Sequence, residues 1–121
     1  MRNYLARLGD GVRSAGFSGH LVVLDSNGGA QDIGVAMTFP LRTIESGPVA
    51  GALASRNLAI AHGVENVVTF DMGGTTAKSC LIQQGSAQVV PTFEVGRVQR
   101  FQRGSGITLQ VPVVDLMEIG A

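Results

Sequence analysis

Thiols are almost absent from this chain of 121 residues: Cys80 is its one cysteine. A single thiol excludes an internal disulfide and any cysteine-based zinc site. Within an apolar run it reads as a small core residue, not a nucleophile. Charge is equally scarce. Charged residues make up 15% of the chain and hydrophobic residues 45%, with a mean hydropathy of +0.26. Soluble domains average about 25% charged, so part of this surface is expected to be covered by other protein. Lys plus Arg and Asp plus Glu number 9 each and cancel. That balance leaves no basic patch for nucleic acid or an anionic membrane. There is no run of about 18 apolar residues to span a bilayer. Met1-Arg2-Asn3-Tyr4 is not followed by the apolar core of a signal peptide. These absences point to the cytoplasm. His20 and His62 have no metal-binding partners nearby in sequence and read as structural or exposed.

What is present is organised around residues 66–82. Val67, Val68 and Phe70 are β-formers leading into Asp71. Gly73 and Gly74 permit backbone angles that other residues resist, and Thr75 and Thr76 add hydroxyls. An extended apolar run then resumes over residues 79–82. The pattern predicts strand, tight glycine turn, strand. Such a turn can aim several backbone N–H groups at one anion. Asp71, at the strand end, can hold a magnesium ion or orient a water beside a phosphate. A plain tight hairpin would use the same glycines, and both readings stand. The turn is not a P-loop, because no Gly-Lys-Ser/Thr follows it.

The length fits one domain, or part of one, with a modest core. Residues 4–15 place Tyr4, Leu5, Leu8, Val12 and Ala15 at helical spacing, with Gly16 as the stop. Residues 20–24 read as a short strand. Residues 25–29 follow as a polar loop, either a second rim loop or a solvated turn. A short helix over 31–38 must end before Pro40, and residues 41–44 read as another strand. Ser46 or Gly47 can cap a second helix with Pro48 at its first position. It runs to about His62 and stops at Gly63. Ala50, Gly51, Ala52, Ala54, Ala59 and Ala61 make it small-sided, which suits a buried helix. Its N-terminus either faces an anion or simply packs closely. After a turn at Gln84-Gly85, residues 87–95 and 107–116 read as strands weakened by Pro91 and Pro112. Arg97, Arg100 and Arg103 can meet a phosphate or face solvent. Residues 117–121 offer no clear terminating element.

Several of these pieces match one family in order. Ser26-Asn27-Gly28-Gly29, Ser46-Gly47-Pro48-Val49-Ala50-Gly51 and Phe70-Asp71-Met72-Gly73-Gly74-Thr75 resemble motifs of the large, A-type subunit of the hydantoinase/oxoprolinase family. Val111-Pro112-Val113-Val114-Asp115 resembles that family's approach to a glycine-rich loop. The order of elements is also similar to the second half of the actin-like ATPase core. The resemblance implies an α/β fold: a partial actin-like ATPase (ribonuclease H-like) lobe, a mixed sheet with helices packed on it. Residues 1–45 would form a preceding helix and strand segment. Residues 46–121 would supply the small-residue helix, the phosphate-loop hairpin and the strands after it.

The same resemblance implies that Asp71 is catalytic and metal-binding. Gly73, Gly74, Thr75 and Thr76 would form the second phosphate-binding loop. Many members carry Thr-Asp after this loop, where Ala77-Lys78 stands here, and Lys78 could neutralise phosphate charge instead. The family's N-terminal Asp-x-Gly-Gly-Thr loop and its adenosine-binding region have no counterpart in these residues. The expected function is thus part of an ATP-dependent hydrolase opening cyclic amides of the hydantoin or 5-oxoproline type, inactive alone. ATP and magnesium would be cofactors of the longer parent only. Its partners would be nucleotide, a small cyclic amide, and the rest of the parent chain or a B-type subunit. A sugar or acyl kinase of the same fold, and a non-catalytic structural piece, stand as alternatives.

Overall fold

A computed structural model of the chain describes residues 1–96, 98 and 104–120. Arg97, Arg100 and Arg103 lie outside the described residues. Helix α1 (Arg2–Ser14) opens the chain, followed by the hairpin of β1 (Val22–Leu24) and β2 (Ala30–Asp32). Helix α2 (Ile33–Thr38) and a 3-10 turn (Pro40–Thr43) lead into the long helix α3 (Ser46–Ala61). Strands β3 (Val67–Met72) and β4 (Thr76–Gln83) form the central hairpin. After them come β5 (Ser86–Ala87), β6 (Val89–Val90), β7 (Phe93–Val95), β8 (Ile107–Leu109), β9 (Val113–Val114) and β10 (Met117–Gly120). Among the described residues no helix is long and apolar enough to cross a membrane.

The hairpin forms as its alternating β-formers predict. Val67 faces Ile82, Thr69 faces Cys80 and Asp71 faces Lys78 in antiparallel register. Strand β10 joins the far side of β4, giving the order β10-β4-β3, with β5 paired to the end of β4. Opposite residues of such a ladder share a face. One face carries Ile82 and Cys80, which pack with Val49 and Ala52 of α3 and with Val114 of β9 to form the core. Cys80 is a core residue, as read.

The polar loop after β1 ties the chain together. Ser26 is fully buried. Its N–H donates to Arg42 O at 2.6 Å, its carbonyl accepts from Val114 N at 2.7 Å, and its Oγ accepts from Glu45 N at 3.0 Å. One serine thus fastens β1, the start of α3 and β9. Gly28 lies at φ 88 with the Leu53 side chain of α3 beside it. The loop is therefore an internal joint, not a solvated turn.

Several local expectations need correction. Residues 41–44 form no strand: Pro40 fixes φ, Thr43 Oγ1 donates to Pro40 O at 2.8 Å, and the chain winds into the 3-10 turn. Neither Ser46 nor Gly47 caps α3. Glu45 holds the cap position, fixed through its backbone by Ser26, and Pro48 is the third helical residue. Helix α3 is not buried all round. Val49 and Ala52 are buried, whereas Leu58 and Ile60 stay exposed because these residues place no second layer over them. Of the α1 stripe, Leu5 is buried and Tyr4 is exposed. The 107–116 run breaks into β8 and β9, which belong to different sheets, at Pro112, which has no N–H to donate. The 87–95 run breaks likewise around Pro91. Residues 117–120, for which no element was expected, pair with β4 from Met117↔Ser79 to Gly120↔Thr76.

Candidate functional site

The hairpin brings the sequence-predicted residues to one rim of the sheet. Asp71 is the penultimate residue of β3 and Lys78 the third of β4, and they stand opposite each other on the face toward α3. Asp71, Gly73, Gly74 and Thr75 are exposed, and Thr76 and Lys78 are half-buried. Helix α3 passes this face with small residues, which leaves a cleft of about 260 Å³ lined by Pro48, Gly51, Ser55, Thr69, Asp71 and Lys78, among others. The small side chains of α3 bear out the reading of close packing and also leave open space. Ala52 packs against the sheet, while Gly51 opens space, since a Cβ there would meet nothing within 4 Å.

The loop itself is built differently from a nest of left-handed glycines. Neither Gly73 nor Gly74 has a positive φ. The Gly73 N–H donates to Thr76 O at 2.9 Å, closing the turn on itself. A Cβ on Gly74 would meet nothing within 4 Å, so open space borders the tip. Thr76 borders a larger cavity of about 610 Å³, lined also by Glu45, Thr92, Glu94, Asp115 and Glu118. The six predicted residues thus share one hairpin end, but Asp71 and Lys78 border one hollow, Thr76 the other, and Gly73, Gly74 and Thr75 border neither.

The partner of Lys78 was not singled out from sequence. Glu45 Oε2 lies 2.5 Å from Lys78 Nζ, with side-chain exposures of 11% and 16%. Glu118 Oε1 stands 3.9 Å from the same ammonium. Lys78 is therefore held between carboxylates. An arriving phosphate would have to share it with Glu45. The signal available in sequence was a lysine inside an apolar strand, which needs a carboxylate partner when buried; nothing in the spacing says that Glu45 supplies it.

A second polar group sits in the joint. Asp25 is buried, and burial pushes its carboxyl above the ordinary value of 3.8, while Arg42 and Gln31 draw it down less strongly. Burial, and less strongly Asp115, also push the Cys80 thiol up, which suits a core residue and not a nucleophile. Among the described residues no group of three or more His, Cys, Asp or Glu side chains could hold a metal ion. Magnesium commonly takes one or two carboxylates plus phosphate oxygens and water, so the donor set fits it through Asp71 only together with a phosphate.

Comparison with known proteins extends this description. The family model described as hydantoinase/oxoprolinase matches residues 1–121. An uncharacterized protein of Methanocaldococcus jannaschii is 39% identical over 122 residues, covering 98% of this chain and 18% of its own. The acetophenone carboxylase gamma subunit of Aromatoleum aromaticum is 34% identical over 88 residues, 73% of this chain and 12% of that subunit. The acetone carboxylase beta subunit of Xanthobacter autotrophicus is 26% identical over 120 residues, 99% of this chain and 15% of that subunit. A nucleotide-free structure of acetone carboxylase, from work on ATP-dependent acetone carboxylation, superposes with a TM-score of 0.79 at 24% identity. That match covers 99% of this chain and 15% of the other, and it supports the fold as a partial actin-like lobe. This chain spans less than a fifth of the length of the curated relatives it matches.

Proposed function

This chain belongs to the hydantoinase/oxoprolinase family, and from that premise we propose that it supplies one phosphate-binding edge of a larger ATP-using enzyme. The observation that carries the reading is the placement of Asp71 at the rim of the β3–β4 hairpin, beside an open cleft and opposite Lys78. An exposed carboxylate there can bind magnesium carried by a nucleotide. The loop tip, with open space beside Gly74, lets phosphate approach the backbone closely. Lys78, held by Glu45, contributes positive charge at a fixed place. Positioning and charge stabilisation of this kind are what phosphoryl transfer needs.

The named relatives are subunits of ketone carboxylases. We therefore place ATP-dependent activation of a carbonyl or amide oxygen ahead of sugar phosphorylation. ATP would phosphorylate that oxygen and release ADP. An O-phosphorylated amide is then opened by water with loss of phosphate, whereas a ketone that gives up an α-proton becomes an enol phosphate, whose carbon attacks a carboxyl donor as the phosphate is lost to water. A ketone carboxylase and a cyclic amide hydrolase both fit this chemistry. The cleft of about 260 Å³ is smaller than the roughly 300–1,000 Å³ of sites that enclose a whole ligand. A complete site thus needs polypeptide beyond these residues.

The test is made on the assembled enzyme, with Asp71→Asn beside the unchanged protein. ATP hydrolysis should fall on the order of a hundredfold with the fold intact by circular dichroism. Product analysis assigns the class: a carboxylated acid, a ring-opened acid, or a phosphorylated substrate that accumulates. Unchanged turnover in Asp71→Asn would remove Asp71 from the site.

A further inference from the structure

One ammonium stands among three carboxylates at the hairpin end. Lys78 is opposite Asp71 on β3 and Glu118 on β10 in register, and Glu45, at the start of α3, makes the shorter of its two ion pairs. The Glu45 carboxylate lies 2.5 Å from the ammonium, whereas that of Glu118 is 3.9 Å away and far more exposed. Lys78 borders the Asp71 cleft, while Glu45 borders the larger cavity. The cation that a phosphate in the cleft would use is thus already engaged by Glu45.

The backbone and side chain of Glu45 are held unequally. Its N–H donates to the Oγ of the fully buried Ser26 at 3.0 Å, and its carbonyl accepts from Val49 N at 3.2 Å. Among the described residues its carboxylate has Lys78 as its one partner. The carboxylate can therefore turn away without moving the helix. The cavity of about 610 Å³ beside it gives the displaced charge access to water, which avoids the cost of an unpaired buried carboxylate. Asp115 and Glu118 border the same cavity and repel a third carboxylate there, which returns it to Lys78 when the site empties.

We propose that Glu45 is an internal competitor for phosphate: it occupies the Lys78 ammonium in the free chain and is displaced when the phosphate of a magnesium nucleotide reaches the cleft. This rests on the reading of the hairpin end as a phosphate-binding edge and adds its regulation. Glu45 is a positioning residue, since it acts on the ligand through Lys78. The consequence is opposite in sign to that of a supporting contact: removing the Glu45 charge tightens phosphate binding.

An amide NMR titration of residues 1–121 with magnesium-ATP, read at Gly73, Gly74 and Thr75, compares Glu45→Gln with the unchanged chain. The substitution keeps the side-chain shape and the backbone contacts. The dissociation constant should fall at least about fivefold, the factor that corresponds to a strong surface ion pair. Glu118→Gln, which removes the longer and more exposed pair, should change it less than about twofold. Glu45→Gln with Lys78→Met should bind no tighter than Lys78→Met alone, because Glu45 acts through that ammonium. A second measurement needs no variant: in the unchanged chain the side-chain carboxyl carbon signal of Glu45 should move with the same dissociation constant as the loop amides. Glu45→Gln that binds no more tightly, while the loop amides still respond, would overturn the competitor and leave the phosphate-binding edge standing. An equal gain in Glu118→Gln would also overturn it, since general loss of negative charge would then suffice. No response at the loop in any of these proteins would remove the phosphate-binding edge itself, and the competitor with it.

Discussion

Replacing Lys78 by methionine isolates the ion pair between Lys78 and Glu45. The change keeps the length of the side chain and removes its charge. Glu45 is then left at 11% side-chain exposure with Glu118 nearby and no cation between them. Breaking a fully buried pair from one side costs about 3–5 kcal/mol. The residual exposure lets water relieve part of that, so a loss of about 2–3 kcal/mol is expected. Total stabilities lie around 5–15 kcal/mol, and for a chain of this size such a loss lowers the melting point by about 10 °C. The double variant Glu45→Gln with Lys78→Met should recover at least half, because no buried charge remains. Urea unfolding of all four proteins completes the cycle, with the m-value as the check that the unfolded state is unchanged. A coupling under about 0.5 kcal/mol, the size found for exposed pairs, would mean that Lys78 is solvated and that Glu45 does not position it.

Other perturbations test the joint around Ser26. Gly28→Ala puts a Cβ at φ 88 and 2.9 Å from Leu53 Cδ1, so thermal unfolding should show a loss of about 1–3 kcal/mol; adding Leu53→Ala should relieve the contact but not the backbone strain. Asp25 has a raised native pKa, so the folded state holds its proton more tightly than the unfolded chain does. Stability should therefore fall as pH rises from about the ordinary value of 3.8 through the raised one, with the full penalty present above it. Asp25→Asn should flatten that slope and raise the melting point at neutral pH; parallel slopes in the two proteins would contradict the burial argument.

The hairpin was legible because its signal is local. Alternating β-formers flank Gly73 and Gly74, and the observed register follows that alternation. Gly16 and Gly63 could be read as helix stops for the same reason: each adopts the positive φ that favours glycine. The misreadings have a common cause in tertiary competition. Residues 41–44 have strand-like composition, yet they pair with no strand among the described residues and Pro40 opens the 3-10 turn instead. Glu45 took the cap from Ser46 because Ser26, nineteen residues earlier, fixes its N–H. Residues 117–120 became a strand because β4 had an unpaired edge, which no feature of that tail announces. For the candidate site, the motif gave the residues and their loop. It did not give the Glu45 partner of Lys78, which is 33 residues away, or the division of Thr76 from Asp71 between two hollows.

The central claim, that the Asp71 hairpin end is a phosphate-binding edge and only part of a nucleotide site, is tested most directly by amide NMR of residues 1–121 titrated with magnesium-ATP. Shift changes should concentrate on Asp71, Gly73, Gly74, Thr75, Thr76 and Lys78. Their common dissociation constant should be about millimolar, worth about 4 kcal/mol, no phosphate should be released, and Asp71→Asn should abolish the response. Changes that leave these six amides untouched would contradict the assignment of the loop. Micromolar binding with turnover would contradict the claim that the site is incomplete without further polypeptide.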